Sequence, residues 1–251
     1  MKYCKFFAVV CLAALLIGCA DDQDPYSGLS EAQIFQKGQA ALHKEYYADA
    51  VSAYEAQEAK YPYGEYAHQE QLNIIYAYYQ NAEYPSALSA SQRYIHLNPQ
   101  GRFVDYAYYM QAMSAFAGER SFMENYFPVD PATRDLQPMQ DAFGAFEYVV
   151  KNFPQSHYAA DARLHMVYIR NLFARNDLKT AEYYMTRKAY VAALARAHNV
   201  VFKYPQAPSR KQALVIMYQC YQAMALTGDA AATQKVFAAN YPGEDIATLK
   251  A

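Results

Sequence analysis

Apolar residues recur along this chain at spacings of three and four. Leu72, Ile75, Tyr76 and Tyr79 share one helix face, and Val104, Tyr108 and Ala112 share another. The pattern predicts helices over 30–44 and 46–60, 65–80 and 84–97, 102–117 and 135–152, 157–174 and 177–203, and 206–227 and 229–240. The segment 177–203 is long for one helix, and a break is expected near Arg187. Only 9 glycines occur, which argues against a β chain with frequent tight turns.

The helices come in a repeat. Proline follows an aromatic residue or Asn at Pro62, Pro99, Pro154, Pro205 and Pro242, at intervals of 37, 55, 51 and 37. Twelve residues before each proline stands an alanine: Ala50, Ala87, Ala142, Ala193 and Ala230. Eight before stand Tyr54, Ser91, Phe146, Ala197 and Gln234, a looser column. The unit resembles the tetratricopeptide repeat, a helix–turn–helix of about 34 residues. A small residue lets paired helices approach closely, and proline stops the second helix of each pair. The expected fold is all-α, a tetratricopeptide-repeat right-handed solenoid of about five helix pairs. The long intervals place insertions at 118–134 and around 176–190.

The N-terminus reads as a targeting signal. Lys2 and Lys5 precede an apolar run over 6–17, too short to span a bilayer. Leu16, Ile17, Gly18 and Cys19 resemble a bacterial lipobox. That resemblance implies cleavage before Cys19 and acylation of its thiol, with Ala20 pointing to the outer membrane. The layout expected is a signal peptide at 1–18, a lipidated tether at 19–29, flexible over 20–28, and a solenoid at 30–251. Within it lie N-terminal repeats (30–117), the insert (118–134) and C-terminal repeats (135–251). After processing only Cys220 remains besides the lipidated residue. Its apolar neighbourhood, 213–226, makes it a buried structural thiol.

Charge is unevenly spread. Residues 19–130 carry 6 basic and 15 acidic residues, whereas 151–211 carry 11 basic and 3 acidic. Two surfaces of opposite sign fit two different partners. Chemistry is sparse by comparison. No two glycines are closer than ten positions, which excludes the glycine-rich dinucleotide and phosphate loops. The six histidines (His43, His68, His96, His157, His165 and His198) form no metal motif and read as surface residues. No catalytic residue, metal, cofactor or nucleic-acid patch is expected. The 27 tyrosines read mostly as helix-packing residues with a wet hydroxyl.

Several strings match a known family. They include Tyr61-Pro62-Tyr63-Gly64 with Gln71-Leu72, Ile75 to Tyr79, and Arg93-Tyr94-Ile95 with Leu97-Asn98-Pro99. Val129-Asp130, Arg134-Asp135, Ala181-Glu182-Tyr183-Tyr184, Arg187 and Arg196 continue the match. Together they resemble the BamD family of outer-membrane assembly factors, also described as ComL-type lipoproteins. Pro128 departs from that family's usual glycine. The resemblance implies a non-enzymatic lipoprotein on the periplasmic face of the outer membrane. Its implied partners are a POTRA domain of BamA, BamC and BamE, and unfolded β-barrel proteins. Tyr61, Tyr63, Gly64 and Tyr66 are the expected substrate-peptide site, and Arg187 and Arg196 the expected BamA-binding residues. Reversal of charge at Arg196 is expected to weaken that docking and leave the fold intact. Two alternatives stay open: an adaptor for cell-wall enzymes, and a solenoid enzyme acting on peptidoglycan.

Overall fold

The computed structural model describes residues 24–118, 130–133 and 135–250. Cys19 and residues 119–129 of the insert lie outside them. The described residues form ten α-helices and no strand, so the all-α, helix-pair fold is present. We number the helices α1 (Glu31–His43), α2 (Tyr47–Lys60), α3 (Ala67–Gln80), α4 (Tyr84–Leu97), α5 (Val104–Gly118), α6 (Gln137–Asn152), α7 (Ala159–Thr186), α8 (Tyr190–Lys203), α9 (Arg210–Ala223) and α10 (Thr227–Asn240). Short 3₁₀ turns lie at Pro131–Thr133 and Ile246–Thr248. The chain divides into two compact units, one up to Ala77 and one from Tyr78.

In the first unit α1 packs on α2. Gly38 permits this, since a Cβ there would sit 2.6 Å from the Tyr54 ring. In the second unit each helix from α4 to α9 packs on its successor. The five alanines of the repeat are all buried, at 5% exposure or less. Tyr54, Ser91, Phe146 and Ala197 are fully buried as well. Gln234 is exposed. Tyr54 and Phe146 meet the first helix of the following repeat, at Asn73 and His165. No α-helix follows α10 among the described residues; the 3₁₀ turn at Ile246–Thr248 packs on α10 instead.

The turns repeat as strictly as the helices. Tyr61, Asn98, Phe153, Tyr204 and Tyr241, each just before the proline, cap the second helix of their repeat. All five adopt φ between −126° and −134°. Their N–H groups donate to carbonyls four residues back, those of Gln57, Tyr94, Val149, Val200 and Phe237. Within pairs, the first helix ends on a left-handed residue that is not glycine: Glu45, Ala82, Lys188 and Ala225, at φ 56–61°. After Lys188, the Ala189 N–H donates to Tyr184 O at 3.0 Å, closing the helix end in a Schellman pattern.

The fourth pair corrects the expected boundary at 174–177. Helix α7 continues unbroken for 28 residues, and the chain turns at Arg187–Ala189 instead. Arg175-Asn176-Asp177 has the composition of a turn, but tertiary partners satisfy its polar atoms. The Asn176 side chain donates to Ala132 O at 2.6 Å. Asp177 accepts from Arg196 at 3.0 Å. Asp130 pairs with Arg175 at 3.1 Å and with Lys179. The extra length of α7 therefore holds the end of the insert, and the two length anomalies are one structural feature.

Two further corrections concern the tether and the histidines. Residues 24–29 are pinned rather than flexible. The Lys60 ammonium meets Asp24 and donates to Tyr26 O at 2.6 Å, and the Tyr61 hydroxyl donates to Leu29 O at 2.9 Å. His165 is half-buried rather than fully on the surface. Its ring stacks on Phe146 at 4.9 Å and its Nε2 lies 3.2 Å from Asp161 Oδ2. Cys220 is fully buried and 3.3 Å from the Met185 sulfur, and burial pushes its thiol up to about 11. Tyrosine packs as expected: Tyr109 stacks on Tyr158 at 4.8 Å and Tyr108 lies 4.3 Å from Tyr148.

Candidate functional site

The turn after α2 brings Tyr61, Tyr63, Gly64 and Tyr66 together and divides them into two kinds. Glu31, in the first turn of α1, reaches across to it. Its carboxylate accepts from the Tyr66 N–H at 2.8 Å and from the Glu65 N–H at 3.1 Å. These orphan donors at the start of α3 thus gain a charged acceptor, as helix N-termini favour. Gly64 allows the approach, because a Cβ there would fall 2.0 Å from Glu31 Oε1. The Tyr66 ring stacks on Phe35 at 4.7 Å. Tyr61 is tied to Leu29 through its hydroxyl. Three of the four residues are thus engaged in holding the turn against α1. Tyr63 is 99% exposed, an aromatic ring standing in solvent on a rigid base.

Sequence reasoning missed Glu31 as the residue that organises this turn. Its signal was available: an acidic residue one position after the Ser30 cap, with Gln33 completing a capping box. Lys60 adds a second tie. Its hydrogen bond holds the Asp24 carboxyl below the usual range.

Arg187 and Arg196 both lie in the second unit. Arg187 caps α7 and is exposed, its guanidinium 5.3 Å from the Tyr183 ring centroid. Arg196, on α8, is already engaged within the chain. Its Nη1 lies 3.0 Å from Asp177 Oδ1, and the Asp177 side chain is only 12% exposed. A glutamate at 196 would face that carboxylate. The expectation that charge reversal leaves the fold intact is therefore corrected: removal of one partner leaves the other as a nearly buried, unpaired charge. The remaining guanidinium edge is open, since the Arg196 side chain is 46% exposed.

No group of three or more metal-ligating side chains occurs among the described residues. None of the described helices is long and apolar enough to cross a membrane.

Comparison with known proteins covers nearly the whole chain. Residues 28–236 match the YfiO family model, described as outer membrane lipoprotein. The chain is similar to the outer membrane protein assembly factor BamD of Vibrio cholerae serotype O1, 32% identical over 96% of this chain and 99% of that protein. It is similar to BamD of Haemophilus influenzae at 32% identity, over 96% of this chain and 92% of the relative. BamD of Neisseria meningitidis serogroup A is 33% identical, over 95% of this chain and 91% of the relative.

Proposed function

The chain belongs to the outer membrane lipoprotein family, and from that premise we propose that it is a non-enzymatic component of the machinery that assembles β-barrel proteins into the outer membrane. The observation that carries the reading is the end-to-end match to three assembly factors of one name, each covered over 91% or more of its length. Acylated Cys19 holds the protein on the periplasmic face, and the tether leads into the N-terminal repeats. Those repeats receive the aromatic targeting signals of unfolded barrel proteins. The C-terminal repeats, 135–251, dock on a POTRA domain of BamA, and BamC and BamE join the same assembly.

The geometry supports different weights for the proposed site residues. Tyr63 is the contact residue of the N-terminal site, because its ring is free to stack on an incoming aromatic side chain. Tyr61, Gly64 and Tyr66 position it. Arg187 and the open edge of Arg196 meet acidic groups of the docking partner, with the fork geometry that suits carboxylates.

A photocrosslinker at position 63 in membranes tests the first assignment. Capture of barrel-protein C-terminal segments is expected, and capture confined to C-terminal repeats would overturn it. Copurification with BamA tests the second. Arg187→Glu is expected to weaken it, and so is the double change Asp177→Asn with Arg196→Gln, which removes the internal pair without stranding a charge. Undiminished copurification of both variants at moderate salt removes these arginines from the interface. Cys19→Ala is expected to leave the membrane fraction or to persist as an uncleaved precursor, and normal acylation with outer-membrane fractionation of that variant would remove the anchor.

A further inference from the structure

The anchor limits which face of the first unit can meet the bilayer. Cys19 lies five residues before Asp24, and that much chain reaches at most about 18 Å. Asp24 is held to the body of the unit by Lys60, whose ammonium also donates to Tyr26 O at 2.6 Å. The surface around residues 24–26 therefore stays within that reach of the acyl chains. The inference rests on the acylation of Cys19 proposed above.

The cations of the first unit gather at that surface. Residues 24–77 hold eight acidic residues and only three basic ones, Lys37, Lys44 and Lys60. Lys60 pairs with Asp24, and Lys37 Nζ lies 5.6 Å from the centroid of the Tyr26 ring. Lys37 and Lys44 stand seven positions apart on one face of α1 and line a cleft of about 320 Å³ with Pro25, Tyr26, Tyr46 and Asp49. Both lysines and Asp49 are exposed, and Tyr46 is 60% exposed. Tyrosine is enriched where protein meets the headgroup layer, since its ring is apolar and its hydroxyl wet.

We propose that this cleft seats ethanolamine phospholipid headgroups of the leaflet that holds the anchor. Lys37 and Lys44 receive the phosphate, Asp49 receives the ammonium, and Tyr26 and Tyr46 rest in the interfacial layer. A headgroup that carries both signs matches a cleft that carries both. A purely anionic lipid surface would be repelled by the acidic excess of the unit. The contact is weak by itself, because exposed ion pairs contribute little. The anchor makes it intramolecular, at an effective concentration of about millimolar, so a weak contact is enough. Its consequence is orientation: the pair α1 and α2 lies against the bilayer instead of swinging on the tether.

The mature chain, residues 19–251, coupled through a free Cys19 thiol to maleimide-lipid vesicles, tests the inference. The anchor is then present whether or not cells acylate Cys19, and buried Cys220 does not compete for the maleimide. The vesicles hold equimolar phosphatidylethanolamine and phosphatidylcholine, and benzoylphenylalanine at position 46 captures neighbouring lipid, read by mass spectrometry. Adducts with the ethanolamine lipid are expected to exceed those with the choline lipid about threefold, because a trimethylated ammonium cannot donate to Asp49. Asp49→Asn is expected to bring that ratio to one. Lys37→Glu with Lys44→Glu is expected to lower total adduct about fivefold, with the helical circular dichroism unchanged. Undiminished adduct in the lysine double variant would leave those lysines to Asp21 and Asp22 of the tether and overturn the proposal. So would equal capture of the two lipids by the unsubstituted chain. Expected yields here, together with an unacylated Cys19 in cells, would overturn the native anchor alone.

Discussion

Gln57 is the polar member of an otherwise apolar column. Five residues before each repeat proline stand Gln57, Tyr94, Val149, Val200 and Phe237, all buried. Both polar atoms of the Gln57 side chain are buried without a hydrogen-bond partner among the described residues. Gln57→Leu is therefore expected to raise the unfolding free energy by about 1–2 kcal/mol, read by urea denaturation, because burial without hydrogen bonds disfavours the native amide. A fall in stability would mean that the amide has a partner of its own. Gly64 is the opposite case, a residue whose lack of a side chain is used. Gly64→Ala displaces the Glu31 carboxylate from the Glu65 and Tyr66 amides. A loss of about 1.5–3 kcal/mol is expected, the range for hydrogen bonds to a charged group. Glu31→Gln in the Gly64→Ala background should then add little, which a double-mutant cycle measures.

At the scale of the element, the same two devices recur: a proline-bounded cap after the second helix and a left-handed residue after the first. Lys188 adopts φ 56° between α7 and α8. A side chain in that conformation is disfavoured by about 1–2 kcal/mol, and glycine relieves it. Lys188→Gly should stabilise the protein by about 1 kcal/mol net of the added chain entropy, visible as a higher urea midpoint with unchanged slope. The turn at Pro131–Thr133 is held differently, by charge. The hydrogen bond from Lys179, then the Ala132 N–H and the nearby Arg175, keep the Asp130 carboxyl below the usual range. A depressed native value means that the ionised form favours folding. That contribution is complete above about pH 4 and is lost as the pH falls through the native value. The site is partly exposed, so its worth is about 0.5–1 kcal/mol. The protection factors of the Ala132 and Thr133 amides should fall in acid more than those of other protected amides, and Asp130→Asn should abolish the difference.

At the scale of the whole molecule, charge separates along the chain, with a net of −9 over 19–130 and +8 over 151–211. Docking through the basic segment should weaken steeply between 50 and 300 mM salt, about tenfold in Kd, whereas membrane retention through the lipid should not change. Salt-independent docking would move the interface to apolar surface. The repeat was legible without coordinates because its causes are local. Alanine and proline columns fix helix pairs through steric size and a missing N–H, and these act within one turn of the residue that carries them. The break at Arg187, the burial of Cys220 and the packing role of most tyrosines followed from the same kind of signal. Other features depended on partners distant in sequence. Asn176 finds Ala132 at a separation of 44 residues, Tyr66 finds Glu31 at 35, and Arg196 finds Asp177 at 19. A polar side chain that reads as a turn or a binding residue is silent about whether its hydrogen bonds are met inside the chain. Only the tertiary structure decided that α7 runs through a turn-like tripeptide, that Arg196 is half engaged, and that Tyr63 alone of its four stands free. A hydrogen bond is made by atoms within about 3 Å, and the sequence fixes which groups need one but not which groups arrive there.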